Sequence, residues 1–364
     1  SALAAGICSA GGNAHLLGVI PTPAVSYLTE KLGASAGVVI SASHNPFEDN
    51  GIKFFDEFGY KLPDALEDEI EAMLEDIEVP AKLTGDALRA MGDAEQRYID
   101  FLTAQADVQL TGKTIVLDCA NGASSNLAQR VFEKLGAKVI VLYNQPDGKN
   151  INDGCGSTHP EKMCQTVREK AADFGFAFDG DADRLIAVDE KGRIIDGDKL
   201  ICICAQMMKD RGELPGDLVT ATVMSNIGFH KYVEGMGCKV EVTSVGDRYV
   251  LESMLKTGCN IGGEQSGHII FRNHTTTGDG ILSSLQLLQA VILSGKLPSE
   301  LSDGIEIFPQ VLKNARVKNE NKGKFREDPE VEAAIAAAEK DLEGEGRVLI
   351  RPSGTEPLVR VMLE

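Results

Sequence analysis

Short runs of uniformly apolar residues alternate along the chain with stretches whose apolar positions recur every three or four residues. That alternation predicts buried strands joined by amphipathic helices, the pattern of parallel α/β sheets. Thr114-Ile-Val-Leu-Asp118, a helix over Leu127 to Leu135 and Lys138-Val-Ile-Val-Leu142 make one strand–helix–strand unit, which needs a parallel crossover. The unit ends with Phe174-Gly-Phe-Ala-Phe178, the loop Asp179 to Arg184, and Leu185-Ile-Ala-Val188 closed by a turn at Lys191-Gly192. A second round follows: helix Asp198 to Lys209, strand Leu218 to Val223, helix Gly228 to Glu234, strand Lys239 to Thr243, helix Arg248 to Lys256, and Asn260 to Glu264. A polar hairpin over His268 to Arg272 then leads into a long helix, Asp279 to Ser294. Repetition of the pattern implies at least two similar α/β domains.

Upstream, Val38-Val-Ile40 reads as a short buried strand running into Ser41-Ala-Ser-His-Asn-Pro46. An acidic amphipathic helix over Pro63 to Leu74, a break over Pro80 to Gly92 and a helix over Ala94 to Ala106 follow. Pro298 to Gly304 reads as a linker. Beyond it, strands at Ala315 to Val317 and Arg347 to Ile350, an Ala/Glu-rich helix from Pro329 to Leu342 and a final strand, Val359 to Leu363, describe a smaller α+β domain.

At 364 residues the chain exceeds a single small module. With 43% hydrophobic and 25% charged residues it can bury sizeable cores, so disorder throughout is excluded. The 36 Lys and Arg against 55 Asp and Glu leave a formal net charge of −19. The average field therefore repels nucleic acid and anionic membranes. An anionic substrate must instead meet a local cluster of Arg, Lys and backbone N–H groups. The longest apolar stretches, such as Leu282 to Leu293, contain Ser and Gln and fall short of the ~20 residues of a membrane span. The 8 cysteines are scattered, without a C-x-x-C pair or a His at zinc-ligand spacing, and Cys202 and Cys204 sit in an apolar helix. Reduced, buried thiols in a cytoplasmic protein are expected. The chain opens at Ser1 inside a small-residue run that reads as mid-helix rather than as a signal peptide, and it stops at Glu364 directly after a strand; both ends read as cut.

Four segments carry chemistry. Asp179-Gly-Asp-Ala-Asp-Arg184 places three carboxylates at alternate positions after an apolar strand, where they can converge on a hard divalent cation. A calcium-hand loop is disfavoured because its sixth position, Arg184, should be glycine. Ser41 to Pro46 lies at a strand end, where open α/β sheets present functional loops, and a serine there can be a nucleophile or phosphate carrier served by His44 and Lys53. Gly263-Glu-Gln-Ser-Gly-His268 groups an acceptor, an amide, a hydroxyl and an imidazole, suited to several hydroxyls of a sugar ring. Arg351-Pro-Ser-Gly-Thr-Glu-Pro-Leu-Val-Arg360 joins two guanidinium groups to Ser353, Thr355 and the open backbone of Gly354, the donors a phosphate dianion needs. Each segment read alone also fits an ordinary polar turn.

In that order the four segments resemble the α-D-phosphohexomutase superfamily, over nearly the whole chain. Asn50-Gly-Ile-Lys-Phe-Phe55 and Gln265 point to its glucosamine phosphate branch. The resemblance implies an α/β fold of several similar domains with mixed sheets around a central cleft, plus a smaller α+β C-terminal domain. The boundaries would fall at 1–90 (phosphoserine), 91–193 (metal), 194–303 (sugar) and 304–364 (phosphate). It further implies interconversion of glucosamine 6-phosphate and glucosamine 1-phosphate, with Ser43 as the phosphoserine. Mg²⁺ would be held by Asp179, Asp181, Asp183 and the Ser43 phosphoryl group, with Arg184 beside the transferred group. Lys53 and His44 would move protons. Arg248, Glu264, Ser266 and His268 would bind the sugar, and Arg351, Ser353, Gly354, Thr355 and Arg360 would clamp the other phosphate. Glucosamine 1,6-bisphosphate or glucose 1,6-bisphosphate would prime the serine, and the resemblance allows a homodimer. Two Gly- and Arg-bearing segments that the family carries ahead of the serine loop are absent before Ser1. Three alternatives stand beside this reading: a glucose or mannose phosphate mutase, a phosphatase using Asp179 as an acyl-phosphate nucleophile, and a sugar-phosphate binding protein without turnover.

Overall fold

A computed structural model describes residues 2–74, 88–342, 345–353 and 357–364. The break expected over Pro80 to Gly92 lies largely outside them. Two sheets repeat one topology. In the first, Lys138–Leu142, Thr114–Asp118 and Phe174–Phe178 are parallel neighbours, followed by antiparallel Leu185–Val188 and Ile194–Ile195. In the second, Lys239–Thr243, Leu218–Thr222 and Ile261–Gly263 are parallel, and Ile269–Phe271 is antiparallel. The repetition expected from the hydrophobic pattern is thus present, with the inner parallel strands buried on both faces, a half-exposed parallel strand at one edge and an antiparallel strand at the other. Ile194–Ile195, just past the boundary expected at 193, belongs with the first sheet.

The helices Gly197–Asp210 and Gly280–Ser294 join the cores of both sheets, the first burying Leu200, Ile201 and Ile203 and the second Leu285 and Leu288. Each such side chain contributes roughly 2 kcal/mol by leaving water. The last part of the chain is a three-stranded antiparallel sheet, Val311–Arg316, Leu358–Leu363 and Val348–Pro352, with the helix Pro329–Asp341. At the start of the chain, Gly37–Ser41 pairs antiparallel with Gly51–Phe55, and Ala14–Leu16 pairs parallel with Leu88–Ala90. The helix Thr22–Lys31 buries Ala24, Val25 and Leu28 with Val39 and Phe55.

Three expectations are corrected. Pro298–Asp303 is a helix rather than a linker: proline takes its first turn, and the Glu300 carboxylate accepts the Leu297 N–H at 2.7 Å. Ile269–Phe271, read as a polar hairpin, is fully buried, with Ile269 and Ile270 in different core clusters on its two faces. The acidic helix forms as Asp64–Met73, but none of its residues is buried. No helix among the described residues is long and apolar enough to cross a membrane.

Candidate active site

The strand Gly37–Ser41 delivers Ser43 with φ 52°, in the left-handed region. A non-glycine residue there needs support. The Ser43 N–H donates to Ser41 Oγ at 3.0 Å, and its carbonyl accepts from Asn152 Nδ2 at 2.8 Å and from the Gly180 N–H at 3.1 Å. Asn152 Nδ2 also donates to the Asn45 carbonyl at 2.8 Å. Position 180 must be glycine, since a Cβ there would stand 2.5 Å from the Ser43 carbonyl oxygen. The outcome is Ser43 Oγ 3.5 Å from Asp179 Oδ2.

Asp179 ends the buried strand Phe174–Phe178, and oxygens of Asp179, Asp181 and Asp183 lie within 4.8 Å of one another. All three side chains are buried. Lys53 Nζ reaches Asp181 Oδ2 at 2.6 Å and Asp183 Oδ2 at 3.2 Å, and the Arg184 N–H donates to Asp179 Oδ1 at 3.1 Å. Asp181 Oδ1 and Asp183 Oδ1 are buried with no hydrogen-bond partner. Hard oxygen donors crowded together and left unsatisfied fit a divalent cation such as Mg²⁺. Burial, reinforced by the Asp183 and Asp181 charges, pushes Asp179 well above the usual carboxylate range. Burial acts the same way on Asp183, but Lys53 and His268 outweigh it and hold that carboxyl well below the range. Lys53 is kept protonated: burial works against its charge, and the Asp183 and Asp181 carboxylates overcome it. Burial and then the Arg184 charge push His44 down, leaving its imidazole neutral near pH 7.

The loop after Ile261–Gly263 is stitched to the carboxylate loop. Leu185 N–H donates to the Gly267 carbonyl at 3.0 Å, and Arg184 pairs with His268 as an isolated bridge. Gly267 has φ 92°, and a Cβ there would stand 2.1 Å from the Leu185 oxygen. Glu264 Oε1 accepts from the Gly246 N–H at 3.1 Å, and Gln265 Nε2 donates to Asp196 Oδ2 at 3.4 Å. Arg351 and Arg360 stand opposite each other across the last two strands. Burial and the Arg360 charge push Arg351 down, against the pull of Glu264.

A cleft of about 540 Å³ gathers Ser43, His44, Lys53, Asp183, Arg184, Glu264, Gln265, Ser266, His268 and Arg360. His268 is 2% exposed and sits against the carboxylate loop: its Nε2 accepts from the Gly278 N–H at 3.1 Å, and its Nδ1 lies 3.6 Å from Asp183 Oδ1. Arg248 lines a neighbouring cavity of about 230 Å³ instead, paired with Asp64 and, at 2.8 Å, with Glu252. Ser353 is buried, whereas Gly354 and Thr355 lie outside the described residues. Sequence reasoning missed Asn152 and also Lys61 and Asp247, which pair on the wall of the cleft. Asn152 lies in Asp147-Gly-Lys-Asn-Ile-Asn152, a run that signals a turn without saying what the turn touches.

Repeated α/β domains, a serine loop facing a carboxylate trio and a cross-strand arginine pair, Arg351 and Arg360, that reaches the same cleft through Arg360 define a phosphohexomutase. The chain belongs to the phosphoglucomutase/phosphomannomutase family: residues 1–80, 96–192 and 196–308 match its alpha/beta/alpha domains I, II and III, and 312–364 match its C-terminal domain. Within the family it groups with the phosphoglucosamine mutases. It is 54% identical over 368 residues to that of Pelotomaculum thermopropionicum and 55% identical over 366 residues to that of Caldanaerobacter subterraneus subsp. tengcongensis, in each case across 100% of this chain and 82% of the relative. Its fold is similar to that of a phosphoglucomutase/phosphomannomutase family protein from Burkholderia thailandensis, with TM-score 0.81, 25% identity, and coverage of 100% of this chain and 81% of that one. It is also similar to Aspergillus fumigatus N-acetylphosphoglucosamine mutase in complex with GlcNAc-6P and magnesium, with TM-score 0.72, 20% identity, and coverage of 94% and 88%.

Proposed function

We propose that the chain interconverts glucosamine 6-phosphate and glucosamine 1-phosphate through a phosphorylated Ser43. The observation that carries the reading is Ser43 Oγ 3.5 Å from Asp179, at the edge of a buried carboxylate trio whose Asp183 lines the same cleft as Ser43. In the first half-reaction the P–O bond to Ser43 breaks as a substrate hydroxyl oxygen bonds to phosphorus, giving glucosamine 1,6-bisphosphate. The second half-reaction returns the other phosphoryl group to Ser43 Oγ. His44, neutral, can accept the hydroxyl proton, and Lys53, protonated, can donate one to the departing serine oxygen. Asp179, Asp181, Asp183 and a phosphoryl oxygen on Ser43 would hold Mg²⁺, which when bound neutralises charge on the transferring group. Arg184 faces the same space. Glu264, Gln265 and Ser266 offer the sugar both acceptors and donors, and Arg351 and Arg360 present paired guanidinium groups for the phosphate that is not reacting. A clamp carried by a different domain from the serine would let either end of the bisphosphate be presented to Ser43.

The eight cysteines are free and buried, which suits a reducing compartment such as the cytoplasm. The test of the function is peptide mass mapping after incubation with Mg²⁺ and glucosamine 1,6-bisphosphate, followed by rates on glucosamine, glucose and mannose phosphates. Hydroxylamine-stable phosphate on Ser43 with fastest turnover of the amino sugar is expected. Hydroxylamine-labile phosphate on Asp179 would instead mark an acyl-phosphate phosphatase, and ligand binding with no phosphate on either residue a binding protein.

A further inference from the structure

The middle carboxylate of the trio is held by a residue far away in sequence. Thr22, fully buried at the first turn of the helix Thr22–Lys31, donates its hydroxyl to Asp181 Oδ2 at 2.6 Å. Its N–H, one of the helix N-terminal donors with no intrahelical partner, donates to the Asp181 carbonyl at 3.0 Å. Lys53 Nζ reaches the same Oδ2 at 2.6 Å. Two donors therefore converge on Oδ2, and the oxygen left over is Oδ1, buried and without a partner. A carboxylate fixed at its backbone and at one oxygen cannot rotate, so the direction of the other oxygen is set before any ligand arrives. Ligand-orienting contacts of this kind commonly change metal affinity by about 10- to 100-fold.

We propose that Thr22 is a positioning residue for the divalent cation: its hydroxyl locks Asp181 so that Oδ1 is the oxygen presented to the ion. The inference rests on the reading of the aspartate trio as a cation site. The helix that carries Thr22 packs behind the serine-bearing ribbon, while Asp181 lies in the loop that joins Phe174–Phe178 to Leu185–Val188 in the five-stranded sheet. The same contact therefore ties the cation's ligand to the region that carries Ser43.

The test is titration of the full chain with Mn²⁺ as the probe, free ion being read by electron paramagnetic resonance, on the unaltered protein and on Thr22→Val, Thr22→Ser and Asp181→Asn. Valine keeps the shape of threonine and removes the hydroxyl; serine keeps the hydroxyl and removes the methyl. Mn²⁺ affinity is expected to fall about tenfold or more in Thr22→Val and in Asp181→Asn, and to stay near the original in Thr22→Ser. Thermal midpoints accompany each titration, and the serine variant, which leaves the hydrogen bond intact, keeps the comparison usable if valine unfolds the site. Unchanged Mn²⁺ affinity in Thr22→Val beside a loss in Asp181→Asn would overturn the role of Thr22 and leave the cation site standing. An equal loss in Thr22→Ser and Thr22→Val would also overturn it, by assigning the effect to packing. Equal uptake by the unaltered protein and Asp181→Asn would instead remove the cation reading itself.

Discussion

Ser43 holds a backbone conformation that costs a non-glycine residue roughly 1 kcal/mol or more, and the donors that hold it there come from outside its own strand and loop. Asn152 uses both amide hydrogens, on Ser43 and Asn45 carbonyls, so it acts on the path of the loop rather than on the reacting oxygen. Asn152→Ala is therefore expected to slow phosphorylation of Ser43 by the bisphosphate about 10- to 100-fold, the usual effect of a displacement near 1 Å, while Mn²⁺ affinity stays close to the original. Rapid-quench measurement of Ser43 phosphorylation checks this, and an unchanged rate would show that the turn holds itself. The reactive residues were legible in the sequence because each group is nearly contiguous: Ser43 with His44, and the three aspartates at alternate positions. Asn152 and Thr22 were not, because their contacts span 109 and 159 positions and neither residue type is unusual in a turn or at a helix start.

At the scale of elements, legibility followed the apolar and β-branched pattern rather than burial, for Lys138–Leu142 and Lys239–Thr243 hold no buried residue. Thr114–Asp118, Lys138–Leu142, Phe174–Phe178, Leu185–Val188 and Lys239–Thr243 coincide with their predicted limits, because strands rich in β-branched and aromatic residues are marked off by turn residues. The helix Thr22–Lys31 was hidden by its own buried face, which carries Thr22, Ser26 and Thr29 among the apolar residues. Ser26 Oγ and Thr29 Oγ1 donate to the Gly59 and Val25 carbonyls at 2.7 and 2.8 Å, so polar side chains are buried there without loss. A related burial gives the helix Gly197–Asp210 a pH response. Asp198 in its first turn is fully buried, accepts the Asn226 N–H at 2.7 Å, and is pushed up to about 7 by burial and by the Asp196 charge. Because the folded state keeps this proton more tightly than the unfolded chain, the contribution is full below pH ~4 and is lost as pH rises toward 7. Its slope is at most about 1.4 kcal/mol per pH unit. Asp198→Asn retains an oxygen for the Asn226 N–H and removes the titration. The variant's thermal midpoint is expected to fall less than that of the unaltered protein between pH 5 and 7, and parallel curves would place the response elsewhere.

For the molecule as a whole, the governing tension is between a net charge of −19 and a site that must admit an anion. The cleft answers it with cations at short range: Lys53, Lys61, Arg184 and Arg360 line it alongside Asp183, Asp247 and Glu264, and Arg351 stands opposite Arg360 across the last two strands. Two ion pairs, Lys61 with Asp247 on the cleft wall and Arg248 with Asp64 at the neighbouring cavity, add no net charge. Local attraction and global repulsion differ in range, so salt separates them. At ~0.01 M ionic strength the screening length is about 30 Å and the whole acidic surface opposes an approaching sugar phosphate; at ~0.15 M it is about 8 Å and only the cleft acts. The rate constant kcat/KM is therefore expected to rise roughly two- to threefold from the first condition to the second, opposite to an enzyme that steers its substrate with a long-range field, and then to fall as salt screens the arginines themselves. Removing one of the short-range cations should lower that maximum while leaving the initial rise. Arg351→Ala, measured over the same range at constant Mg²⁺, is predicted to raise KM about tenfold or more through loss of a paired, charge-assisted contact, with kcat much less affected. A kcat/KM that declines from the lowest ionic strength onward would mean that the cleft's positive field reaches beyond the acidic surface, and an Arg351→Ala profile superimposable on the original would remove that residue from the clamp.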